Sequence, residues 1–171
     1  IDNNLRKFFF GDSGSTNWIK SKLLKRNKRF KNYSIDIRNH NALDKIFKKY
    51  SKSISIIIHC AAQPSHDYGK NFPFLDFNIN ATGTLNLLEL TKKYCSNSPF
   101  IFMSTNKVYG DNPNKLKLFE KKTRWELKKN DKNFRGIKEN FPIDNAIHSF
   151  FGVSKTYADL IVQEYGKNIG L

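Results

Sequence analysis

Three short clusters of chemically useful residues each close an apolar run: Asp36-Ile37-Arg38, Cys60-Ala61-Ala62-Gln63 and Ser104-Thr105-Asn106-Lys107. Small side chains at Ala61 and Ala62 let a ligand approach the backbone closely. The hydroxyls of Ser104 and Thr105 can hydrogen-bond a substrate hydroxyl. Each cluster alone could be a cap or a turn. Three of them at successive strand ends favour a small-molecule site, because ligands of open parallel sheets bind outside the carboxyl ends of the strands. The four histidines, His40, His59, His66 and His148, are scattered without metal-ligand spacing, so no metal is expected.

The elements that would hold these clusters follow from patterning. Tyr33–Ile37 has the look of a short strand, and Asn41 can cap a helix through Leu43, Ile46, Phe47 and Tyr50, spaced by threes and fours. Ile54–Cys60 is a continuous β-branched run, as expected of a strand buried on both faces of a parallel sheet, with Cys60 a buried thiol. Phe77, Ala81, Thr84, Leu85 and Leu88 recur at helical spacing, and Phe100–Ser104 forms a second buried strand. Ser149 precedes a last helix carrying Phe150, Val153, Tyr157, Ile161 and Tyr165. Residues 1–17 have loop chemistry, and Trp18–Phe30 is a Lys-rich helix candidate. The polar stretch 110–147 is too long for a plain connector. Strands alternating with helices predict an α/β fold with a parallel sheet and right-handed crossovers.

Bulk properties narrow the function. A chain of 171 residues has room for one domain, so a single unit over 1–171 is expected. Hydrophobic residues at 39% and charged residues at 26% exclude collagen, a disulfide scaffold and a low-complexity tail. No apolar run approaches the roughly 20 residues that span a bilayer, so no membrane partner is expected. Two cysteines form no framework, which fits a reducing cytoplasm. The net charge of +15 raises nucleic-acid binding. However, the basic residues are overwhelmingly lysine, abundant together with Asn, Ile and Phe, and arginine, the preferred reader of bases and phosphates, is scarce. The charge is therefore read as a composition bias, with no nucleic-acid partner.

Four segments, in order and at family spacing, resemble the extended short-chain dehydrogenase/reductases. Ser104-Thr105-Asn106-Lys107-Val108-Tyr109-Gly110 is similar to their S-S/T-x-x-V-Y-G segment, and His59-Cys60-Ala61-Ala62-Gln63 to their H-x-A-A-Q strand end. Asn78–Leu88 resembles their N-x-N-x-x-G-T-x-N-L-L helix, and Asp36-Ile37-Arg38 their D-I/L-R. Within that family the likeness is to the CDP-paratose 2-epimerases, also called tyvelose epimerases. It is carried by S-T-N-K-V-Y-G, by Thr123-Arg124-Trp125 and by His148-Ser149.

The resemblance implies a Rossmann-type, doubly wound parallel sheet and an NAD-dependent isomerase acting on a nucleotide sugar, a CDP-sugar by the nearest likeness. A homo-oligomer is possible, and the cofactor is expected to be NAD, with the choice between NAD and NADP left open. It places Thr105 at the family's catalytic Ser/Thr, Lys155 at the Lys of its Y-x-x-x-K motif and Asn80 at the Asn of its active-site network. Asp2 falls at the acid that binds the adenosine ribose, with Asp36 and Ile37 flanking adenine. Ala61, Ala62, Gln63, Asn80 and Lys155 would line the cofactor site, and Asn106 and Lys107 would meet the substrate.

Two departures follow from the same comparison. The glycine-rich dinucleotide fingerprint, which lies about 20 residues before the ribose-binding acid, is absent from these 171 residues. The chain is thus expected to be an internal stretch of a longer member, lacking the first βα unit and the C-terminal substrate domain. The family's catalytic Tyr is Phe151, one turn before Lys155. Hydride removal from a sugar carbon needs a base for the hydroxyl proton, and Phe cannot serve. Either the site is silent and only binds nucleotide, or Thr105 with a water, or Lys155, takes over. Family dehydratases carry an acidic pair after the strand-end Thr. Asn106 and Lys107 stand there instead, which implies epimerisation; a 4-epimerase or reductase of the same superfamily is the alternative.

Overall fold

A computed structural model describes residues 1–171. The chain runs through helices α1 (Arg6–Phe10), α2 (Asn17–Arg26) and α3 (His40–Tyr50) to strand β1 (Ile57–His59). Two short helices, α4 (His66–Asn71) and α5 (Pro73–Phe77), then lead through one π-helical turn, Asn78–Thr82, into α6 (Gly83–Tyr94). Strand β2 (Phe100–Phe102) follows, then a hairpin of β3 (Leu118–Glu120) and β4 (Trp125–Leu127), and finally α7 (Ser149–Ile169).

β1 and β2 pair in parallel, Ile57 beside Phe100 and His59 beside Phe102, and the α4–α6 segment makes the crossover between them. This is the βαβ unit of a Rossmann-type α/β fold. The β3–β4 hairpin is antiparallel and separate, inside the long polar stretch.

Local chemistry sets the helix starts. Asn39 accepts the Ala42 amide at 3.0 Å to open α3, Ser65 accepts the Tyr68 amide to open α4, and Pro73 occupies the first turn of α5. Leu43 and Phe47 of α3, Ile79, Leu87 and Leu90 of the α6 run, and Phe9 of α1 form the core, together with Ile37 and Cys95. Gly83 is needed where α6 meets Ile37: a Cβ there would lie 2.4 Å from Ile37 Cδ1.

Several expectations need correction. Tyr33–Ile37 joins no ladder: the Ile35 amide turns back on Tyr33 O at 3.0 Å, and that carbonyl also takes the Asp2 amide of the N-terminal segment at 3.1 Å. The Ile54–Cys60 run contributes only three residues to β1, and it is buried on one face, not two. Ile57 and His59 point to the helices, whereas Ile56 and Ile58 are exposed, and so is Cys60. The second strand ends at Phe102, the Lys-rich helix at Arg26, and residues 1–17 hold α1 rather than pure loop.

Candidate active site

The carboxyl ends of β1 and β2 open onto two different environments. Asp2, Asp36, Ile37, Ala61 and Ala62 line one cleft of ≈ 580 Å³, between the 33–37 segment and the free edge of β1. Its walls are largely apolar, including Ile35, Ile57 and Leu87. Asp2 accepts the Asn4 amide at 2.6 Å. Asp36 is clamped by Arg38, whose Nε and Nη2 donate at 2.9 and 2.7 Å, and by Asn3 Nδ2 at 3.0 Å. The Arg38 guanidinium is the main reason its carboxyl titrates below the usual range.

Gln63 departs from its expected place. Its side chain does not reach the cleft but is buried with three others, Asp76, Asn80 and Ser154, each only 1% exposed. Gln63 Nε2 donates to Asp76 Oδ1 at 2.7 Å, Ser154 Oγ donates to Asp76 Oδ2 at 2.5 Å, and Asn80 Nδ2 donates to Ser154 Oγ at 3.0 Å. The Gln63 amide donates to Asn80 Oδ1 at 2.8 Å. Burial raises the Asp76 carboxyl above its usual range, against the opposing pull of the Ser154, Gln63 and Asn80 bonds.

The π-helical turn is what aims Asn80 into this group. Such a turn disturbs the i→i−4 ladder, and here the Thr84 hydroxyl takes the Asn80 carbonyl at 2.6 Å. With its proton so used, Thr84 Oγ1 accepts from His59 Nε2 at 2.9 Å, which leaves His59 Nδ1 as a buried acceptor without a partner. Burial first, and the Lys155 charge second, lower His59 to about 4, so its ring is neutral.

Lys155 lies on α7 and turns inward. Its Nζ donates to Met103 O at 2.8 Å and sits 4.1 Å from the Phe102 ring centroid. Desolvation lowers it to about 8, with Asp159 and Cys60 opposing. Thr105, two residues beyond Met103, caps a 3₁₀ turn over Asn106–Tyr109: its Oγ1 accepts the Lys107 amide at 3.3 Å. Asn106 and Lys107 are exposed at that turn. Phe151 is half-buried on the turn of α7 before Lys155, and Gly69 of α4 fits against its backbone; a Cβ there would lie 3.1 Å from Phe151 N. Two tyrosines of α7 and of the 3₁₀ turn pack against aromatic rings, Tyr157 on Phe77 and Tyr109 on Phe141.

Sequence reasoning missed Asp76 and Ser154. The available signal was a single acid in the apolar Phe74–Phe77 segment, four residues before Asn80 on the same buried stripe. No group of three His, Cys, Asp or Glu side chains is placed to hold a metal, and no helix is long and apolar enough to cross a membrane.

The sequence and the fold have known counterparts. CDP-paratose 2-epimerase of Salmonella typhi is 39% identical over 136 residues, 80% of this chain but 38% of that protein. The solved structure of Pal from Bacillus thuringiensis superposes with a TM-score of 0.68 at 23% identity, over 93% of this chain and 43% of its own. A dTDP-glucose 4,6-dehydratase from Bacillus anthracis, solved in complex with NAD, does so with a TM-score of 0.62 at 27% identity, over 93% and 40%. The chain thus spans about two fifths of each of these proteins. The profile of one family runs along residues 12–171, which hold the Asp36–Ala62 side of the cleft, the buried polar group and α7, and the chain belongs to that family, the NAD dependent epimerase/dehydratase family.

Proposed function

We propose that this chain is the greater part of the cofactor-binding domain of a CDP-paratose 2-epimerase-like enzyme, one that inverts a carbon of a nucleotide sugar by removing and returning a hydride. The observation that carries the reading is the lodging of the Lys155 amine at the carboxyl end of β2, on Met103 O, two residues before Thr105. The likeness to the Salmonella epimerase supports the CDP-sugar.

The residues present fit NAD in part. The cleft offers Asp2 to the adenosine ribose hydroxyls, Asp36 and Ile37 to adenine, and the small Ala61 and Ala62 to close backbone approach. The diphosphate cradle of glycines and a helix N-terminus is not among these residues. When bound, NAD supplies the hydride acceptor and donor and is returned unchanged.

The remaining steps belong to side chains. Removing a hydride from a carbinol carbon requires the hydroxyl proton to leave, and returning the hydride requires a proton for the resulting oxygen. Lys155, lowered to about 8, has a neutral fraction near neutral pH and can take that proton directly or through the Thr105 hydroxyl. The Thr105 Oγ1 that caps the 3₁₀ turn can instead donate to the developing alkoxide. Asn106 and Lys107 stand exposed beside it for the sugar hydroxyls and the nucleotide phosphates. Phe151 favours one second reading, a silent nucleotide-binding protein, because it removes the phenol.

The test is a substrate panel with the whole protein: CDP-, UDP- and dTDP-hexoses incubated with NAD in deuterated water, the product epimer read by proton NMR. Epimerisation of a CDP-sugar at C2 is expected. Turnover of UDP-sugars at C4 alone would replace this assignment with a 4-epimerase, and nucleotide-sugar binding without turnover would establish the silent reading.

A further inference from the structure

A carboxylate closed off from water is normally paired with a cation. Asp76 is not: it makes no ion pair, and its partners are the neutral donors of Ser154, Gln63 and Asn80. Filling the same space with well-packed apolar side chains would be no less stable in general, so a satisfied buried charge of this kind is better explained by the geometry it specifies.

That geometry joins three separate parts of the chain. Gln63 belongs to the loop that follows Ala61 and Ala62, Asn80 to the π-helical turn, and Ser154 to α7. Ser154 immediately precedes Lys155, and its hydroxyl also lies 3.0 Å from the Phe151 carbonyl. Gln63 holds its own loop, since Nε2 donates to Ser65 O at 2.6 Å and Oε1 accepts the Ser65 amide. Asp76 is the atom pair on which both sides end: Oδ1 takes the loop and Oδ2 takes α7. We infer that Asp76 is a positioning residue, which through Ser154 fixes Lys155 and Phe151 relative to the Ala61–Gln63 strand end. Asp76 itself is not among the residues that line the cleft, and it works through Gln63, Asn80 and Ser154. The inference rests on the function proposed above and adds to it a tether the reaction depends on.

The test uses the whole protein with three variants. Asp76→Ala removes both anchors. A displacement of the order of 1 Å far from the chemistry costs about 10²-fold in rate, so kcat should fall about 10- to 100-fold while the KM for the nucleotide sugar changes less than about threefold. Asp76→Asn should restore kcat to within about fivefold, because the new amide can donate to the Ser154 hydroxyl, which has acceptor capacity to spare, while its oxygen still receives Gln63 and Asn80. Ser154→Ala should lower kcat less than Asp76→Ala, and combining the two should be no worse than the more severe single change. Amide hydrogen exchange supplies a readout independent of turnover. Asp76→Ala should speed exchange at residues 63–65 and 152–156 together, and Asp76→Asn should not. Wild-type kcat in Asp76→Ala, an Asp76→Asn variant as slow as Asp76→Ala, additive losses, or exchange that rises at one segment alone would each overturn the tether. If the unsubstituted protein turns over no nucleotide sugar, the functional reading falls, and the paired exchange response then supports the tether, or its absence overturns it.

Discussion

The two faces of the β1–β2 sheet are built differently. On one, Ile57, His59, Phe100 and Phe102 point to α3, α6 and α7, and the space is closed by buried leucines, by the His59–Thr84 bond and by Lys155 over Phe102. On the other, Ile56, Ile58, Ile101 and Met103 stand in a row, and Ile58 is 59% exposed. Composition does not separate them, since both faces are mostly apolar. What separates them is the polar hardware: the bonds that orient Gln63, Asn80 and Lys155 lie on the helical face or at the strand ends above it, and those that orient Asp2 and Asp36 lie beside the free edge of β1. The geometry around Lys155 is therefore a property of helix packing, and perturbations on the two faces should be felt very unequally.

The sharpest break comes at Lys155. In the whole protein, Lys155→Met removes the one buried amine on the helical face, and turnover should fall about 10²- to 10⁴-fold, the range for loss of a general acid–base group. The same enzyme should retain its fold by circular dichroism. A loss below tenfold would move proton transfer away from Lys155.

Stability offers the next contrast. Leu88 is fully buried in α6, and Leu88→Ala should cost about 2–5 kcal/mol in urea unfolding. Ile58→Thr, on the open face and with β-propensity kept, should stay within about 0.5 kcal/mol. Equal losses would mean that the open face is packed in solution.

Lys155 also ties the helical face to pH. Its folded value of about 8 lies below the ordinary 10.5. Below pH 8 folded and unfolded chains both carry the proton, and the burial penalty is present in full. Between about 8 and 10.5 the folded chain has lost the proton and the unfolded chain keeps it, so the unfolded state binds more protons and stability rises with pH. The gain from pH 7 to above 10.5 is about 3 kcal/mol. The difference between wild type and Lys155→Met, read from urea melts across this window, should grow in favour of wild type by that amount. Parallel curves would show an amine that titrates as if in water.

Much of the helical face was legible in the sequence, because its signals are local. The spacing of Leu43, Ile46, Phe47 and Tyr50 reports α3, the β-branched run reports β1, and S-T-N-K-V-Y-G reports the turn after β2. The rest depends on partners far away in the chain. Tyr33–Ile37 has strand chemistry, but a strand needs a neighbour to pair with, and one segment's pattern does not state whether it has one. Ile56 and Ile58 belong to the same apolar run as Ile57, so nothing local says that one face is open. Asp76 and Ser154 are 78 residues apart, and only the fold brings the acid to the hydroxyl. Likeness points Gln63 toward the cofactor, whereas its side chain lies in that buried group, donating to Asp76.

The smallest effect on turnover belongs to Phe151, in the first turn of α7. Its backbone packs against Gly69 and its carbonyl lies 3.0 Å from the Ser154 hydroxyl, while the resemblance leads one to expect a phenol at this position. If proton transfer runs through Lys155 or Thr105, Phe151→Tyr adds one hydroxyl to a half-buried ring one turn from a lysine of lowered pKa. The new phenol then has an acceptor for its proton nearby, and the rate should stay within about tenfold of wild type, on the higher side. Stability should change by less than about 1 kcal/mol, since no buried methylene is removed and no backbone is displaced. Steady-state turnover of the epimerised sugar, measured for Phe151→Tyr alone and with Lys155→Met, reads the outcome. A variant slower by more than tenfold would mean that the pocket is shaped around the phenyl ring. Activity that survives in the double variant would mean that a phenol at position 151 can carry the proton without the Lys155 amine, and activity lost in it would mean that the phenol still depends on that amine.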